Sequence, residues 1–425
     1  MFGFFASQEK KMRENAGNWL ELAEKVYHYR RDVLVPAQVG ELQSRIGELQ
    51  ALMKERAGAE KLKIGIERLE EVLRRTGGAI YPKSALVENV EFFLVAAIVI
   101  LGIRTYFVQP FKIPTNSMWP TYNGMTPQVW KNPADAPGPV MAAVRFALFG
   151  ARHKEFVAPE SGTITAPVAR GSGRLYYELK PARSWFIFPS TNREYTLFVN
   201  DKPVRIQVPE EFDFDWAFTE ATGINLEERT KLAEQAPRGF SNGLAAITLE
   251  RRAEKGKPFL SFDIITGDQL FVDRVSYHFM PPKVGQGFVF RTDHIQSDFM
   301  RDGRTGGQLE QYYIKRLVGV PGDKLEIREP VLYRNGSPIT GALAFSENAK
   351  RAGKYGGYFN PPSYVGGYLK AGETMTVPKS RYFALGDNSG NSQDGRYWGF
   401  VPAKDVVGRP LFVYYPFTSH WGPAR

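Results

Sequence analysis

The sequence predicts a mainly β protein that is preceded by an N-terminal helical region and a single hydrophobic helix. Three observations support this prediction. A helical pattern fills residues 1–80, and an apolar run of membrane length follows it. From Gly124 onward, short aromatic and β-branched segments alternate with turn residues. With 425 residues, the chain is long enough for two or three domains, each with a hydrophobic core.

The composition excludes several kinds of site. The net charge of +10 favours an anionic partner, either lipid headgroups or nucleic acid. Neither a zinc-ligand spacing nor an RNA-binding motif occurs, so we expect membrane lipid and no nucleic acid as a partner. The chain has no cysteine and only five histidines, none at metal-ligand spacing. We therefore expect no metal, no cofactor and an acid–base chemistry that does not use histidine.

Residues 1–80 are expected to form a helical hairpin on the cytoplasmic side of a membrane. Pro36 divides this region into two helices, and Thr76-Gly-Gly78 ends it. An antiparallel pair with a solvated outer face explains this pattern better than a coiled coil with another chain. The apolar stripe of the second helix consists of Leu42, Ile46, Leu49 and Met53.

A transmembrane helix is predicted at residues 86–108. The window from Val90 to Val108 would form a helix of about 28 Å, close to the thickness of the bilayer's hydrocarbon core. Pro110 supplies a helix stop. The alternative is a buried core helix, which the length of the window and its polar flanks disfavour. More basic residues precede the run than follow it, so the N-terminus is predicted to be cytoplasmic.

Ser117 is the first candidate catalytic residue. Pro114 and Pro120 restrict the backbone on both sides of it and exclude a helix interior. A serine on a rigid segment directly after the hydrophobic helix is an unusual structural serine, and we interpret it as a nucleophile. A serine hydroxyl needs a base that takes its proton. Because histidines are scarce, that base is expected to be a lysine or a carboxylate.

Lys315 is the candidate base, since it lies beside Arg316 in an otherwise apolar predicted strand. A lysine acts as a base only where burial keeps it neutral. Side chains alternate between the two faces of a strand, so one member of this pair is expected to point inward. The alternative is a solvated pair on an edge strand. A loop rich in Gly, Asn, Asp and Ser, residues 385–402, would supply a second hydroxyl to orient the lysine.

Five segments in this order resemble bacterial type I signal peptidase, a membrane-bound Ser/Lys peptidase. They are residues 113–118, 267–274, 282–290, 313–323 and 386–396. The resemblance implies a signal-peptidase-like catalytic domain, a coiled antiparallel β-sheet formed by residues 109–124 and 264–425. It leaves residues 125–263 as an inserted, mostly β domain of unknown role. Asn116 and Trp119, on either side of the nucleophile region, are not the family's commonest residues.

The resemblance also implies a role for each matching residue. Ser117 corresponds to the nucleophile, and Lys315 to the general base that later protonates the leaving amine. Thr115 and the backbone N–H of Ser117 correspond to the oxyanion hole. The remaining assignments are Ser392, Asp387, Asp394 and Arg396, which would orient or support the dyad, and Ile113, Pro114 and Met118, which would bind substrate.

The function implied by the resemblance is the cleavage of N-terminal signal peptides from exported preproteins at the cytoplasmic membrane. The catalytic domain would lie on the extracytoplasmic side, and the secretion machinery is a further candidate partner. Two alternatives remain open. One is a Ser/Lys peptidase with a narrower task, such as pilin maturation, and the other is an inactive homologue that binds exported proteins.

One further motif points to a different chemistry. Gly239-Phe-Ser-Asn-Gly243 matches the Gly-x-Ser-x-Gly nucleophile elbow of α/β-hydrolases. That elbow requires a buried strand immediately before it, whereas residues 232–238 are polar and contain a proline. We therefore do not expect this serine to be catalytic.

Overall fold

The structure is a computed structural model that describes residues 8–184, 188–236, 243–302 and 305–424. The chain divides into two compact units, Met1–Leu101 and Gly102–Arg425. The α-helices of the described residues are α1 Gln8–Arg30, α2 Pro36–Lys54, α3 Ala59–Thr76, α4 Ala85–Tyr106, α5 Pro139–Phe149, α6 Phe214–Thr222, α7 Leu226–Gln235, α8 Ser276–Phe279, α9 Leu343–Lys350 and α10 Gly395–Trp398.

The strands all lie in the second unit and account for most of its regular secondary structure. They are β1 Val108–Lys112, β2 Thr126–Val129, β3 Arg152–Val157, β4 Gly162–Ala169, β5 Tyr177–Ser184, β6 Phe188–Val199, β7 Lys202–Pro209, β8 Leu244–Ala253, β9 Pro258–Ile265, β10 Gln269–Asp273, β11 Gly287–Arg291, β12 Tyr312–Gly319, β13 Lys324–Arg328, β14 Val331–Arg334, β15 Ser337–Pro338, β16 Met375–Thr376, β17 Arg381–Leu385, β18 Val401–Pro402, β19 Val406–Tyr415 and β20 Gly422–Pro423.

The N-terminal region folds as three helices, which differs from the predicted hairpin. Helices α1, α2 and α3 share one hydrophobic core, in which Leu42, Ile46 and Leu49 of the predicted stripe are buried. Pro36 begins α2 as expected. The chain turns a second time because Arg56 adopts a positive φ of 54° and Gly58 caps the start of α3.

Helix α4 is long and apolar enough to cross a membrane. Its 22 residues include a stretch with a mean hydropathy of 2.2, and none of them is buried. At about 1.5 Å per residue the helix is about 33 Å long. It ends two residues before the predicted boundary because Val108 already pairs with Asp273 as the first residue of β1. Pro110 lies within β1, an edge strand in which its missing N–H is tolerated.

The largest sheet has the strand order β1-β10-β19-β11-β12-β17-β18, with β20 beside β19. Its pairings are antiparallel, and β-bulges between β10 and β19, β11 and β19, and β12 and β17 coil it. A second sheet, β15-β14-β13-β16, follows β12 in the chain. The predicted fold class, a mainly β protein with a coiled antiparallel sheet after an N-terminal helical region, is confirmed.

The inserted residues 125–263 form two further sheets, β2-β9-β3 and β5-β6-β4-β8, with β7 paired to β6. They share a core rich in phenylalanine and belong to the same compact unit as the largest sheet. Helix α7 interrupts the strands at Leu226–Gln235, and a turn at Asn200 joins β6 to β7. Helices α5 and α6 were not predicted, because their aromatic and β-branched residues favour strands by propensity.

The two ends of the predicted insertion meet beside the largest sheet. The backbone N–H of Asp268 donates to Asn123 O, and the N–H of Asn123 donates to the Asp268 carboxylate, both at 2.8 Å. His420 Nδ1 lies 2.7 Å from the same carboxylate oxygen. Asp268 O in turn accepts the N–H of Ile113 at 2.8 Å. The segment from Ile113 to Asn123, which contains Ser117, is therefore closed into a loop by Asp268.

Candidate active site

The loop that follows β1 positions Ser117. Residues Asn116–Met118 form one short 3-10 turn, and Ser117 is only 8% exposed. Three hydrogen bonds of Asn116 hold this turn in place: its side chain donates to Met125 O and accepts from the N–H of Gly124, and Asn388 donates to its carbonyl oxygen. Sequence reasoning noted Asn116 only as a departure from the resembled family, so it missed this bracing role.

Lys315 reaches Ser117 from β12, although the two residues lie 198 positions apart in the sequence. Its Nζ lies 2.5 Å from Ser117 Oγ, and the lysine is only 4% exposed. Burial lowers the pKa of Lys315 from 10.5 to about 8, because charge is poorly solvated in the interior. The charge of Asp394 opposes this effect, and that of Arg396 adds to it. A buried amine with this pKa can accept a proton from the hydroxyl beside it.

A buried ion pair supports the segment next to the lysine. Arg396 binds the Asp394 carboxylate through Nε at 2.8 Å and Nη2 at 2.9 Å, and the N–H of Gly386 donates to the same carboxylate at 2.9 Å. Arg396 also donates to Ser389 Oγ and to Phe359 O, both at 2.8 Å. This network ties the loop after β17 to α10 and keeps the Asp394 charge close to Lys315.

Ser392 lies in the same loop, but its predicted hydrogen bond to Lys315 is not formed within the described part of the chain. Its Oγ is buried and has no hydrogen-bond partner among the described residues. A Cβ on Gly386 would lie 2.2 Å from Ser392 Oγ and 2.4 Å from Ser117 O. The glycine therefore lets this loop approach the nucleophile, while the amine of Lys315 is directed to Ser117 instead.

Both members of the Lys315–Arg316 pair are buried, which corrects the expectation that only one points inward. Arg316 is 2% exposed and binds Asp387 through Nε at 2.7 Å and Nη2 at 2.5 Å. It also donates to Gly285 O at 2.6 Å, and Thr121 donates to Asp387 at 2.6 Å. The loop after β17 covers the second face of β12, so Asp387 contacts Arg316 and Thr121 and not the dyad.

The predicted substrate and oxyanion residues fall into two groups. Thr115 and Pro114 are exposed, and Thr115 has an extended backbone with φ −113° and ψ 159°. Ile113 and Met118 are 3% and 0% exposed and pack in a core with Tyr122. Substrate binding by the side chains of Ile113 and Met118 is therefore disfavoured, because both already fill the space beneath the loop.

Comparisons with known proteins identify the family of this chain. Residues 261–415 match the family described as signal peptidase, peptidase S26. A probable signal peptidase I-1 from Synechocystis is 34% identical over 156 residues, 37% of this chain and 66% of the relative. Signal peptidase I from Bacillus licheniformis is 32% identical over 151 residues, 33% of this chain and 74% of the relative. The chain belongs to the signal peptidase I family.

A solved signal peptidase I from Enterococcus faecalis is 31% identical, and the match covers 31% of this chain and 97% of that one with a TM-score of 0.21. Of three relatives from Synechocystis and Leptolyngbya laminosa, the chain spans 56% to 66% of the length. The family match includes Lys315, Ser392 and Asp394, whereas Ser117 and most of the insertion precede it. The family model therefore matches the part of the chain that contains the lysine and not the part that contains Ser117.

In this signal peptidase family member, the predicted insertion contacts the loop that contains Ser117. Trp216 of α6 packs edge-on against Trp119, with ring centroids 5.5 Å apart. Lys354 Nζ lies 5.6 Å from the centroid of the same Trp119 ring. Sequence reasoning missed both contacts, because nothing in the local pattern around Trp216 connects it with a residue almost a hundred positions earlier.

A metal site and the Gly-x-Ser-x-Gly motif are the other kinds of site that concern this signal peptidase family member. Among the described residues, no three His, Asp or Glu side chains are grouped so that they would hold a metal. The Gly-x-Ser-x-Gly motif lies outside the described residues except for Gly243, so the structure does not place its serine.

Proposed function

We propose that the chain is a membrane-bound serine endopeptidase that cleaves N-terminal signal peptides from exported preproteins. The strongest support is the 2.5 Å contact between Lys315 Nζ and Ser117 Oγ in a buried site. The pKa of about 8, lowered by burial, increases the fraction of neutral amine at that contact over that of an ordinary lysine. The substrate class follows from the relatives, which are named as signal peptidases.

In the proposed acylation step, neutral Lys315 takes the proton of Ser117 while Ser117 Oγ attacks the scissile carbonyl carbon. The negative charge that develops on the carbonyl oxygen is stabilised by the N–H of Ser117 and the hydroxyl of Thr115. Such donors are typically worth a few kcal/mol in the transition state. The tetrahedral intermediate then collapses, the peptide C–N bond breaks, and protonated Lys315 gives its proton to the departing amine.

Deacylation repeats the same steps with water as the nucleophile. Lys315 is neutral again after the amine has left, so it takes a proton from a water molecule that attacks the acyl-enzyme ester. The ester C–O bond breaks, and the proton returns from Lys315 to Ser117 Oγ. The released products are the signal peptide, with a new carboxylate, and the mature protein, with a new amino terminus. No histidine is required in either step.

We expect the substrate to bind as an extended strand along the exposed segment that contains Pro114 and Thr115. Peptide recognition of this kind uses main-chain hydrogen bonds for affinity and shallow pockets for side-chain selection. Signal-peptide cleavage sites carry small residues of the A-x-A type, which suit shallow pockets. Because the side chains of Ile113 and Met118 are buried, they would shape the floor of this site from beneath.

The proposed topology has a cytoplasmic N-terminus and an extracytoplasmic catalytic domain. Helix α4 supports a single span by its length and apolar composition. Arg74, Arg75 and Lys83 precede it, whereas Lys112 is the first lysine after it, and cytoplasmic flanks are the more basic ones. A substrate's cleavage site follows its own apolar segment, so a catalytic site near the outer membrane surface would meet it there.

The test is the cleavage of a model preprotein by the purified full chain in lipid or detergent. Ser117→Ala and Lys315→Ala should each lower kcat by about four orders of magnitude or more, since the dyad acts as a unit. Lys404→Ala, an exposed lysine in the same unit, is the matched control and should retain full activity. Circular dichroism checks that each variant is folded.

The outcomes also separate the alternative functions. Full cleavage by either dyad variant would refute the proposed roles of Ser117 and Lys315. A wild-type chain that binds preproteins without cutting them would be the inactive homologue. A chain that cuts only one narrow class of precursor, such as pilin-like proteins, would be the specialised maturation peptidase.

A further inference from the structure

Helix α5 of the insertion turns its apolar side chains away from the protein. It has 11 residues, and none of them is buried. Soluble surface helices do the opposite, with an apolar face toward the core and polar residues toward solvent. The exposed fractions run from 41% to 81% for the five largest outward side chains, Val140, Met141, Val144, Phe146 and Leu148.

The charged side chain within α5 points toward the protein. Arg145 donates from Nε to Asp263 at 3.0 Å and from Nη2 to Gln128 at 2.6 Å. Its guanidinium lies 5.2 Å from the centroid of the Trp130 ring. Asp263 is 1% exposed, so this ion pair anchors the inner side of the helix to β9. Specific contacts therefore hold α5 with its charged side chain toward the protein and its apolar side chains toward the outside.

The C-terminal segment extends this apolar surface. Tyr415 donates its hydroxyl to Phe146 O at 3.1 Å, and the N–H of Phe417 donates to Leu148 O at 3.0 Å. Phe417 and Trp421 are 51% and 52% exposed, and their ring centroids lie 6.2 Å apart. Half-exposed aromatic rings of this kind are typical of the boundary between lipid tails and headgroups.

Three cations lie near the C-terminal end of α5. Within the described residues, Lys112, Arg152 and Lys154 take part in no ion pair. Burial is the main cause that lowers the pKa of Lys112 and Lys154, and repulsion from Arg152 is the second cause. The charge of Glu211 partly offsets this lowering at Lys112. A group of cations that repel one another and lack an ion-paired carboxylate is suited to an anionic surface.

The strand that follows the proposed membrane span belongs to the same sheet as the strand that contacts α5. Strand β1 begins two residues after the end of α4, and its five residues cover about 17 Å. Lys112, at the far end of β1, pairs with Gln269, and Gln269 pairs with Tyr415, whose hydroxyl contacts α5. Helix α5 is therefore attached to strands adjacent to the one that leaves the proposed span.

We propose that α5 lies in the interfacial layer of an anionic membrane, with its outward side chains among the acyl chains and Lys112, Arg152 and Lys154 on the headgroups. This inference rests on the proposed membrane location of the protein. An 11-residue helix is about 16 Å long, too short to cross a bilayer but suited to lie in its surface. The insertion is then a second membrane contact that orients the nucleophile loop relative to the bilayer.

The absence of cysteine from the sequence allows a direct test on the full chain. Val144→Cys, labelled with an environment-sensitive fluorophore, reports on α5, and Ser337→Cys on exposed β15 is the matched control. Both are placed in the Ser117→Ala background and reconstituted into phosphatidylcholine vesicles with or without phosphatidylglycerol. Brominated lipids should quench the Val144 probe and shift its emission to the blue, but leave the Ser337 probe unchanged.

A charge-reversed variant tests the headgroup contact. Arg152→Glu with Lys154→Glu should lose most of the quenching in vesicles that contain phosphatidylglycerol. A Val144 probe that is never quenched would overturn the inference. A probe that shifts only when preprotein is added would also overturn it, because the surface would then bind the substrate's apolar segment. Quenching does not depend on catalysis, so this inference and the proposed activity can fail separately.

Discussion

The pH dependence of cleavage tests the role of Lys315 most directly, because only its neutral form can accept the proton of Ser117. Burial lowers its pKa from 10.5 to about 8. That lowering corresponds to about 3 kcal/mol in favour of the neutral amine. At pH 7, about one tenth of the molecules would then have neutral Lys315, compared with about 0.03% for a lysine of ordinary pKa. The lowered pKa therefore increases the reactive fraction about 300-fold.

We expect kcat/KM to rise about tenfold per pH unit below pH 7, to reach half of its maximum near pH 8 and to level off above pH 9. The assay is the cleavage of a peptide substrate that has no ionisable group in this range. Lys315→Arg should be inactive throughout, since a guanidinium keeps its proton. A half-maximum near the ordinary 10.5, or a rate that does not change with pH, would refute this reasoning.

Three substitutions test other parts of the site. Gly386→Ala should lower kcat by about 100-fold or more, because its Cβ would lie 2.2 Å from Ser392 Oγ and would displace the nucleophile loop. Arg316→Ala should lower the free energy of unfolding by about 3–5 kcal/mol, since it leaves the buried Asp387 charge unpaired; denaturation in detergent micelles measures this. Trp216→Ala should lower kcat/KM by about two- to tenfold, by removing an aromatic contact with the nucleophile loop.

Each of these substitutions has a control elsewhere in the chain. Gly390→Ala should be tolerated, because its Cβ would meet nothing closer than 3.8 Å. Arg409→Ala removes a partly exposed ion pair and should cost no more than about 1 kcal/mol. Phe279→Ala removes a ring that is 81% exposed and should leave kcat/KM unchanged. Equal effects of a substitution and its control would show that the named contact is not responsible.

The strongest sequence signals were local ones. Ser117 between two prolines, and Lys315 in an apolar strand, were both recognisable from neighbouring residues. That the two residues meet is a long-range fact, which only the resemblance to a family implied. The pairing of β11, β12 and β17 fixes the register of the strand that holds the lysine, since Lys315 pairs with Phe288 and Leu317, two residues further along β12, pairs with Ala384.

The contacts that sequence reasoning missed depend on what covers each element. Because side chains alternate along β12, the sequence correctly places Lys315 and Arg316 on opposite faces of the strand. It does not reveal that a loop covers the face of Arg316 and buries Asp387 there. The same holds for Ser392, whose place in the loop was predicted while its hydroxyl has no described partner. In α5 the apolar composition suggests a buried segment, and only the attachment of Arg145 shows which side faces outward.

Because Asp268 and Asn123 hold its two ends together, the segment between them can vary in length without a change in the sheet. Both ends of this segment meet at a junction through two reciprocal hydrogen bonds, and β2 and β9 continue the pairing outward from Thr126 and Ile265. Closing a loop costs little more as it grows once its ends are held together. Related proteins could therefore gain, lose or exchange whole domains at this junction, a few residues after the nucleophile, while the catalytic geometry stays the same.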